Sequence, residues 1–196
     1  MNLPRIVGWT LAACLAGAVT FLAATIRVIE PRPEASPSSE PAMSAAPAPA
    51  LVVPVAGVGV SKLRSNWGEA RGGGARGHQG LDIMAPAGTP VIAAADGMVE
   101  KLYLSKGGGG ITLDQRAAGG RRMLYYAHLA SYAPGIAEGR QVRAGETLAY
   151  VGDTGNAGAG NHHLHFAVAR MAPGEGWWQG MPVDPYPLLA GGRPDG

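Results

Sequence analysis

The chain has little cysteine, little net charge and no zinc-binding helix motif. Its one cysteine, Cys14, cannot form an intrachain disulfide, so the cysteine content does not indicate a redox compartment. The net charge of +2, without any run of lysine or arginine, argues against nucleic acid as a partner. No pair of histidines on a helix encloses a glutamate, so the sequence offers no glutamate of that motif as a general base.

Glycine and proline are abundant instead. The 31 glycines and 16 prolines among 196 residues suit one domain with appendages and favour short strands over long helices. Apolar runs separated by turn residues predict strands over residues 91–94, 98–104, 111–114, 123–128, 147–151 and 163–169. We therefore predict a mainly β, antiparallel domain over residues 57–196.

The N-terminal segment contains a long uncharged run. Residues 6–26 carry no charge, and these 21 residues in a helix span about 30 Å, the hydrocarbon thickness of a bilayer. Residues 1–29 are therefore predicted to form a single transmembrane anchor. Two other fates remain open, namely lipidation at Cys14 and signal-peptide cleavage near Ala24. An uncleaved anchor is favoured, because cleavage at Cys14 would leave the apolar residues 15–26 exposed to water.

Residues 30–56 are predicted to form a linker between the anchor and the domain. The part from 30 to 50 contains six prolines, six alanines and four serines. Such a segment buries too little apolar surface to fold and is expected to be an extended spacer. In the polyproline conformation it reaches at most roughly 65 Å. A domain tethered in this way can act on a layer held away from the membrane.

Four of the five histidines lie in three short segments, one of which also contains an aspartate. The segments are residues 78–82, 126–128 and 163–165. Imidazole nitrogen and carboxylate oxygen are ligands of catalytic zinc, which keeps one coordination position open for water. His78, Asp82 and one histidine of the last segment supply three such ligands. The imidazoles left over are available for acid and base chemistry.

The spacing of these residues constrains how their side chains meet. Residues two apart on a strand point to the same face of the sheet. The side chains of His163 and His165 therefore share one face, and that of His162 points to the other. In a strand, His78 and Asp82 would be separated by roughly 13 Å, which is too far to share one ion. We therefore predict a glycine loop that carries His78 and turns into a strand that carries Asp82, with Gly80 permitting close approach to the metal.

Taken in order, several stretches of the chain resemble the lysostaphin and LytM type of zinc metallo-endopeptidase. They are residues 67–99, 125–129, 142–148, 151–156, 163–166 and 182–185, which together cover roughly residues 62–190. The resemblance implies two antiparallel sheets with a metal groove on one of them. It also implies a Zn2+ cofactor and the peptide stems of peptidoglycan as substrate.

The resemblance implies a role for each motif residue. The metal ligands would be His78, Asp82 and His165, and the catalytic side chains beside the reacting water would be His128 and His163.

The chain departs from the family pattern at two places. His162 stands where the family usually has a proline, and strand alternation gives it no role. No tyrosine occurs in residues 71–77, although the lysostaphin branch uses a tyrosine shortly before the first ligand. Arg76 is a candidate to replace it or to hold a substrate carboxylate, and a solvated loop arginine is the alternative.

These features predict a membrane-anchored zinc endopeptidase that hydrolyses peptide cross-links of bacterial peptidoglycan. Its domain would lie on the extracytoplasmic side of the cytoplasmic membrane, where the wall substrate is. His163 is the first choice for the general base and His128 for stabilising the oxyanion, with exchanged roles as the alternative. A non-catalytic LytM-type activator of other wall hydrolases and a wall-binding module are the competing classes. The oligomeric state stays open.

Overall fold

A computed structural model describes residues 51–191 of the chain. The predicted anchor, residues 1–29, and residues 30–50 of the predicted linker lie outside this range. Within residues 51–191, no helix is long and apolar enough to cross a membrane.

The described part of the chain is built mainly from strands. A 3-10 helix covers Val60–Lys62, and a short α-helix, α1, covers Pro185–Leu189. Asp184 caps α1 by accepting a hydrogen bond from the Tyr186 N–H, and a proline occupies the first turn, where no N–H partner is needed. The strands are β1 (Ala70–Arg71), β2 (Arg76–Gly77), β3 (Leu81–Met84), β4 (Pro90–Ile92), β5 (Gly97–Ser105), β6 (Gly110–Ala117), β7 (Arg122–Tyr132), β8 (Gln141–Val142), β9 (Thr147–Val151), β10 (His163–Arg170) and β11 (Met181–Val183).

Nine of these strands form one branched antiparallel sheet, and β1 and β2 form a separate ribbon. The main path of the large sheet runs β11, β10, β7, β6, β5, β8. Strand β7 pairs with β10 over residues 122–127 and with β9 from Leu129 onward. The change of partner occurs at His128, whose φ of 61° is the one positive φ of a non-glycine residue within the described range.

The central strands have one face toward the core and one toward a groove. On β10, the side chains of Leu164, Phe166 and Val168 are buried, and those of His163 and His165 lie on the opposite face. Neighbouring strands continue this division, because directly paired residues share a face. The core face of the other strands includes Leu81, Ile83, Leu113, Leu124 and Tyr126.

The mainly β, antiparallel class is confirmed, and all six predicted strands occur, as β4, β5, β6, β7, β9 and β10. The sheet arrangement differs from the two sheets expected. One large sheet branches because β7 and β10 each pair with three other strands, and the second sheet is only the β1–β2 ribbon.

The folded unit begins before residue 57, the predicted boundary between linker and domain. The Val52 N–H donates to the carbonyl of Ala94 at 2.8 Å, and Val55 forms a β-bridge with Val91. Alternate residues here face the core, namely Leu51, Val53 and Val55. The last part of the predicted linker is therefore a core segment, because its apolar alternation buries one face.

Candidate metal centre and groove

The loop between β2 and β3 brings His78 back over Asp82. The His78 N–H donates to the carbonyl of Glu69 at 2.8 Å, and Asp82 is the second residue of β3. Gly80 lies against His165, since a Cβ atom at Gly80 would be 2.6 Å from His165 Cε1. A glycine loop that turns into a strand is therefore present as predicted, and the close approach that requires glycine is to the His165 ring.

Three candidate ligand atoms converge at one end of the groove. His78 Nε2 is 3.0 Å from His165 Nδ1 and 3.1 Å from Asp82 Oδ1. His165 Nδ1 is 3.0 Å from the same Asp82 oxygen. Ligand atoms bound to one zinc ion at about 2.0–2.1 Å lie roughly 3 Å from one another. This triangle therefore has the dimensions of one face of a tetrahedral coordination shell. The register explains the contact, because His165 pairs directly with Asp82 across β10 and β3.

The hydrogen-bond partner of His78 sets the proton position on its ring. His78 Nδ1 donates to the carbonyl oxygen of Asn66 at 3.0 Å, so the neutral ring presents a lone pair at Nε2. Burial lowers the pKa of His78, although the Asn66 carbonyl and Asp82 oppose this shift. Two imidazole nitrogens and a carboxylate oxygen this close together suit a shared cation. The donor set fits zinc, which takes nitrogen and oxygen ligands.

Asp82 uses its two carboxylate oxygens differently. Oδ1 faces the imidazoles, whereas Oδ2 accepts hydrogen bonds from Arg71 Nη2 at 2.7 Å and Asn66 Nδ2 at 3.1 Å. Burial opposes ionisation of Asp82, but the hydrogen bond from His165 and the electrostatic attraction of the neighbouring imidazoles outweigh it and lower its pKa to about 2. The carboxylate is therefore ionised at neutral pH and held with one oxygen toward the other ligands.

His128 and His163 lie side by side next to this cluster, with ring centroids 4.8 Å apart. His128 Nδ1 donates to the Thr154 carbonyl and His163 Nδ1 to the Asn161 carbonyl, both at 2.8 Å. Each neutral ring therefore keeps a lone pair at Nε2. Burial lowers the pKa of His128, against the raising effect of the Thr154 carbonyl. Both imidazoles are thus arranged as proton acceptors.

His162 and Arg76 are positioned differently relative to the groove. His162 precedes β10, and its Nδ1 is 3.8 Å from Asp153 Oδ2. It is not among the described residues that line the groove. Arg76 lies on β2, is exposed and lines the groove.

The groove continues from the cluster along the sheet and has a volume of about 620 Å³. Tyr125 and Asp114 form part of its floor, and Trp177 and Trp178 line it from the loop between β10 and β11. The two tryptophans pack edge to face with ring centroids 5.8 Å apart.

Three residues of this site were not identified from the sequence. Asn66 and Arg71 hold the second oxygen of Asp82, and their available signal was their position just before the glycine loop. Asp114 is a buried acid on the groove face, and its signal was an acidic residue within an otherwise apolar strand segment.

Comparison with known proteins agrees with this geometry. The model of Peptidase family M23 matches residues 76–185. The L-Ala--D-Glu endopeptidase of Bacillus subtilis (strain 168) is 36% identical over 135 residues, which is 64% of this chain and 39% of that protein. The DD-carboxypeptidase/endopeptidase Mpg of Neisseria meningitidis serogroup B (strain ATCC BAA-335 / MC58) is 42% identical over 108 residues, which is 55% of this chain and 22% of that protein. The chain thus spans less than half the length of these curated relatives.

A solved structure shares the fold. The catalytic domain of lysostaphin from Staphylococcus simulans aligns with a TM-score of 0.55 and 26% identity, covering 67% of this chain and 95% of that chain. The resemblance to the lysostaphin and LytM type, which rested on the order of the motifs, is confirmed.

Proposed function

Because the chain belongs to peptidase family M23, we propose that it is a zinc-dependent endopeptidase that hydrolyses peptide cross-links of bacterial peptidoglycan. The observation that carries the proposal is the triangle of His78 Nε2, Asp82 Oδ1 and His165 Nδ1, with sides of 3.0–3.1 Å. The endopeptidase names of the two relatives support the cleavage of peptide bonds.

His78, Asp82 and His165 would hold the ion. A bound zinc ion supplies a Lewis acid for the scissile carbonyl and lowers the pKa of water. Arg71 and Asn66 act through Asp82, because their hydrogen bonds to Oδ2 leave Oδ1 directed at the ligand cluster.

His163 is the proposed general base. Its Nδ1 donates to the Asn161 carbonyl, so the Nε2 lone pair is free, and Nε2 lies 3.8 Å from Asp82 Oδ1 at the edge of the cluster. It would accept a proton from the attacking water and release it to the leaving amine.

His128 is proposed to stabilise the oxyanion. Its Nδ1 already donates to Thr154, so Nε2 donates to an oxyanion only when the ring is an imidazolium. Burial lowers the pKa of His128 and so favours the neutral ring, whose Nε2 lone pair suits the exchanged role of general base.

The proposal includes a place for the domain. The uncharged residues 6–26 would anchor the chain in the cytoplasmic membrane, with the domain on the extracytoplasmic side. The support is the run itself together with the location of a peptidoglycan substrate. A reporter fused after Gly196 tests the orientation, and activity of the reporter only in the cytoplasm would reject it.

The non-catalytic activator and the wall-binding module are the competing functions. Neither competing function requires three converging ligand atoms or two neighbouring imidazoles with free Nε2 lone pairs. The presence of both features favours the enzyme.

The decisive experiment is a digest of purified muropeptides by the full-length protein in mild detergent, analysed by mass spectrometry. We expect new peptide termini with zinc and none after chelation. Asp82→Ala should abolish both cleavage and zinc binding, whereas Asp96→Ala, at an exposed aspartate, is the matched control. Cleavage that survives chelation would reject metal dependence. No cleavage by the zinc-loaded wild type would favour the competing functions.

A further inference from the structure

Asp114 is a buried acid on the groove face that has no part in the proposed catalysis. It lies on β6 directly opposite Tyr125 of β7, and Tyr125 in turn pairs with Ala167 of β10. Its side chain lines the groove although the residue is only 4% exposed. Its Oδ2 atom is fully buried and has no hydrogen-bond partner among the described residues. A buried acceptor without a donor is costly, so this atom calls for an explanation.

The nearby cations are engaged elsewhere. Arg116, two residues along β6, forms a two-pronged ion pair with Glu100 at 2.5 and 2.7 Å. Lys101, which is opposite Asp114 in the register, places its Nζ 2.8 Å from Glu138 Oε1. Neither of these two cations donates to Asp114, whose side chain lines the groove.

The wall beside Asp114 is aromatic and is fixed in place. Trp177 packs on Tyr103 with ring centroids 6.4 Å apart, and Trp178 is 70% exposed at the groove rim. Arg116 Nη2 donates to the Glu175 carbonyl at 3.0 Å, which ties the tryptophan loop to the strand that carries Asp114. Aromatic faces attract cations, and a carboxylate binds an ammonium by a charge-assisted hydrogen bond.

We propose that Asp114, Trp177 and Trp178 form a subsite for a primary ammonium group of the peptide substrate. The inference rests on the proposed function and adds the kind of peptide that the groove selects. Asp114 is two strands from β10 and two residues along from His165 in register, which places the subsite roughly 12 Å from the ligand cluster. That distance equals about three to four extended residues, so one bound peptide reaches both places.

The pKa of Asp114 agrees with a side chain that exchanges a bound proton for an ammonium partner. Burial, and secondarily the charge of Glu100, raises the pKa of Asp114 to about 7. An acid in this range is partly protonated at neutral pH when the groove is empty, and a bound ammonium favours its ionised form.

The test compares two probe peptides that differ in one charge. They are acetyl-Ala-Lys-Ala-Ala-amide and the same peptide with Nε-acetyl-lysine, titrated into the full-length protein by calorimetry in mild detergent. The variants are Asp114→Asn, which keeps the shape and removes the charge, and Asp96→Asn, the same change at an exposed aspartate outside the groove lining. Circular dichroism and zinc content verify that each variant is folded, and Asp114→Ser is the substitute if the asparagine variant is not.

We expect the wild type and Asp96→Asn to bind the lysine peptide about 10-fold or more tightly than the acetylated one, the usual scale of a charged hydrogen bond. Asp114→Asn should lose that preference and retain its affinity for the acetylated peptide. Equal affinities in the wild type, or a preference that survives in Asp114→Asn, would overturn the subsite. The readout requires no cleavage, so a preference that depends on Asp114 without muropeptide hydrolysis would reject the proposed enzyme and keep the binding site.

Discussion

The burial of Asp114 makes the stability of the domain depend on pH in a calculable way. Burial and Glu100 raise the pKa of Asp114 to about 7 in the folded chain, against an ordinary value of 3.8. Because the folded-state pKa is raised, the folded chain binds this proton more tightly than the unfolded chain does. The resulting stability is fully present below pH 3.8 and is lost as the pH rises through about 7.

The magnitude follows from the gap between the two values. The gap is about three pH units, and each unit corresponds to about 1.4 kcal/mol, so the loss between pH 4 and pH 8 is about 4 kcal/mol. Asp114→Asn removes the titration. Relative to the wild type, its free energy of unfolding should therefore rise by about this amount over the same pH range, whatever constant offset the amide introduces.

Urea unfolding of both proteins at several pH values between 4 and 8, with a chelator present, measures this difference. The charged and polar groups that face this region, Glu100, Arg116 and Tyr125, are present in both proteins. Thr112→Ser is the control, since it alters a buried, non-titrating neighbour on the same strand and its offset should be constant with pH. A difference between wild type and Asp114→Asn that varies by less than about 1 kcal/mol over this range would refute the reasoning.

Three further predictions concern the cluster. Arg71→Ala should lower zinc affinity by about 10- to 100-fold, because the substitution removes a hydrogen bond that orients a ligand. Competition with a chelating dye measures the affinity, and an unchanged value would show that Arg71 does not orient Asp82. His163→Ala should reduce the rate of muropeptide cleavage about 100-fold or more while His162→Ala retains most of it, and equal losses would contradict the facing of the two rings. Gly80→Ala should weaken zinc binding, because its Cβ would lie 2.6 Å from His165 Cε1, and zinc content per folded chain equal to that of the wild type would show that the ring has room to move.

Much of the fold was readable from local sequence, because strand alternation and glycine turns are short-range effects. The six predicted strands were recovered, and the loop-to-strand turn between His78 and Asp82 follows from Gly80 and the apolar residues after it. The predictions of the anchor and the linker depend only on composition. The anchor and most of the linker lie outside the described residues. The sheet pairing was harder to predict, because β7 changes partner at His128, where a single left-handed residue redirects the strand.

The sequence by itself predicted which side chains would carry the chemistry, since residue type and the order of the motifs are local properties. Only the tertiary structure decided which atoms meet. The carbonyls of Asn66, Thr154 and Asn161 set the proton position on three imidazoles, and each is distant in sequence from its ring or belongs to a turn. Arg71, on the small ribbon, reaches Asp82 of the large sheet through a side-chain hydrogen bond, and strand register places Asp114 in the groove lining. Hydrogen bonds and burial act over a few ångströms. Residues that are distant in sequence come within that range only when the chain has folded.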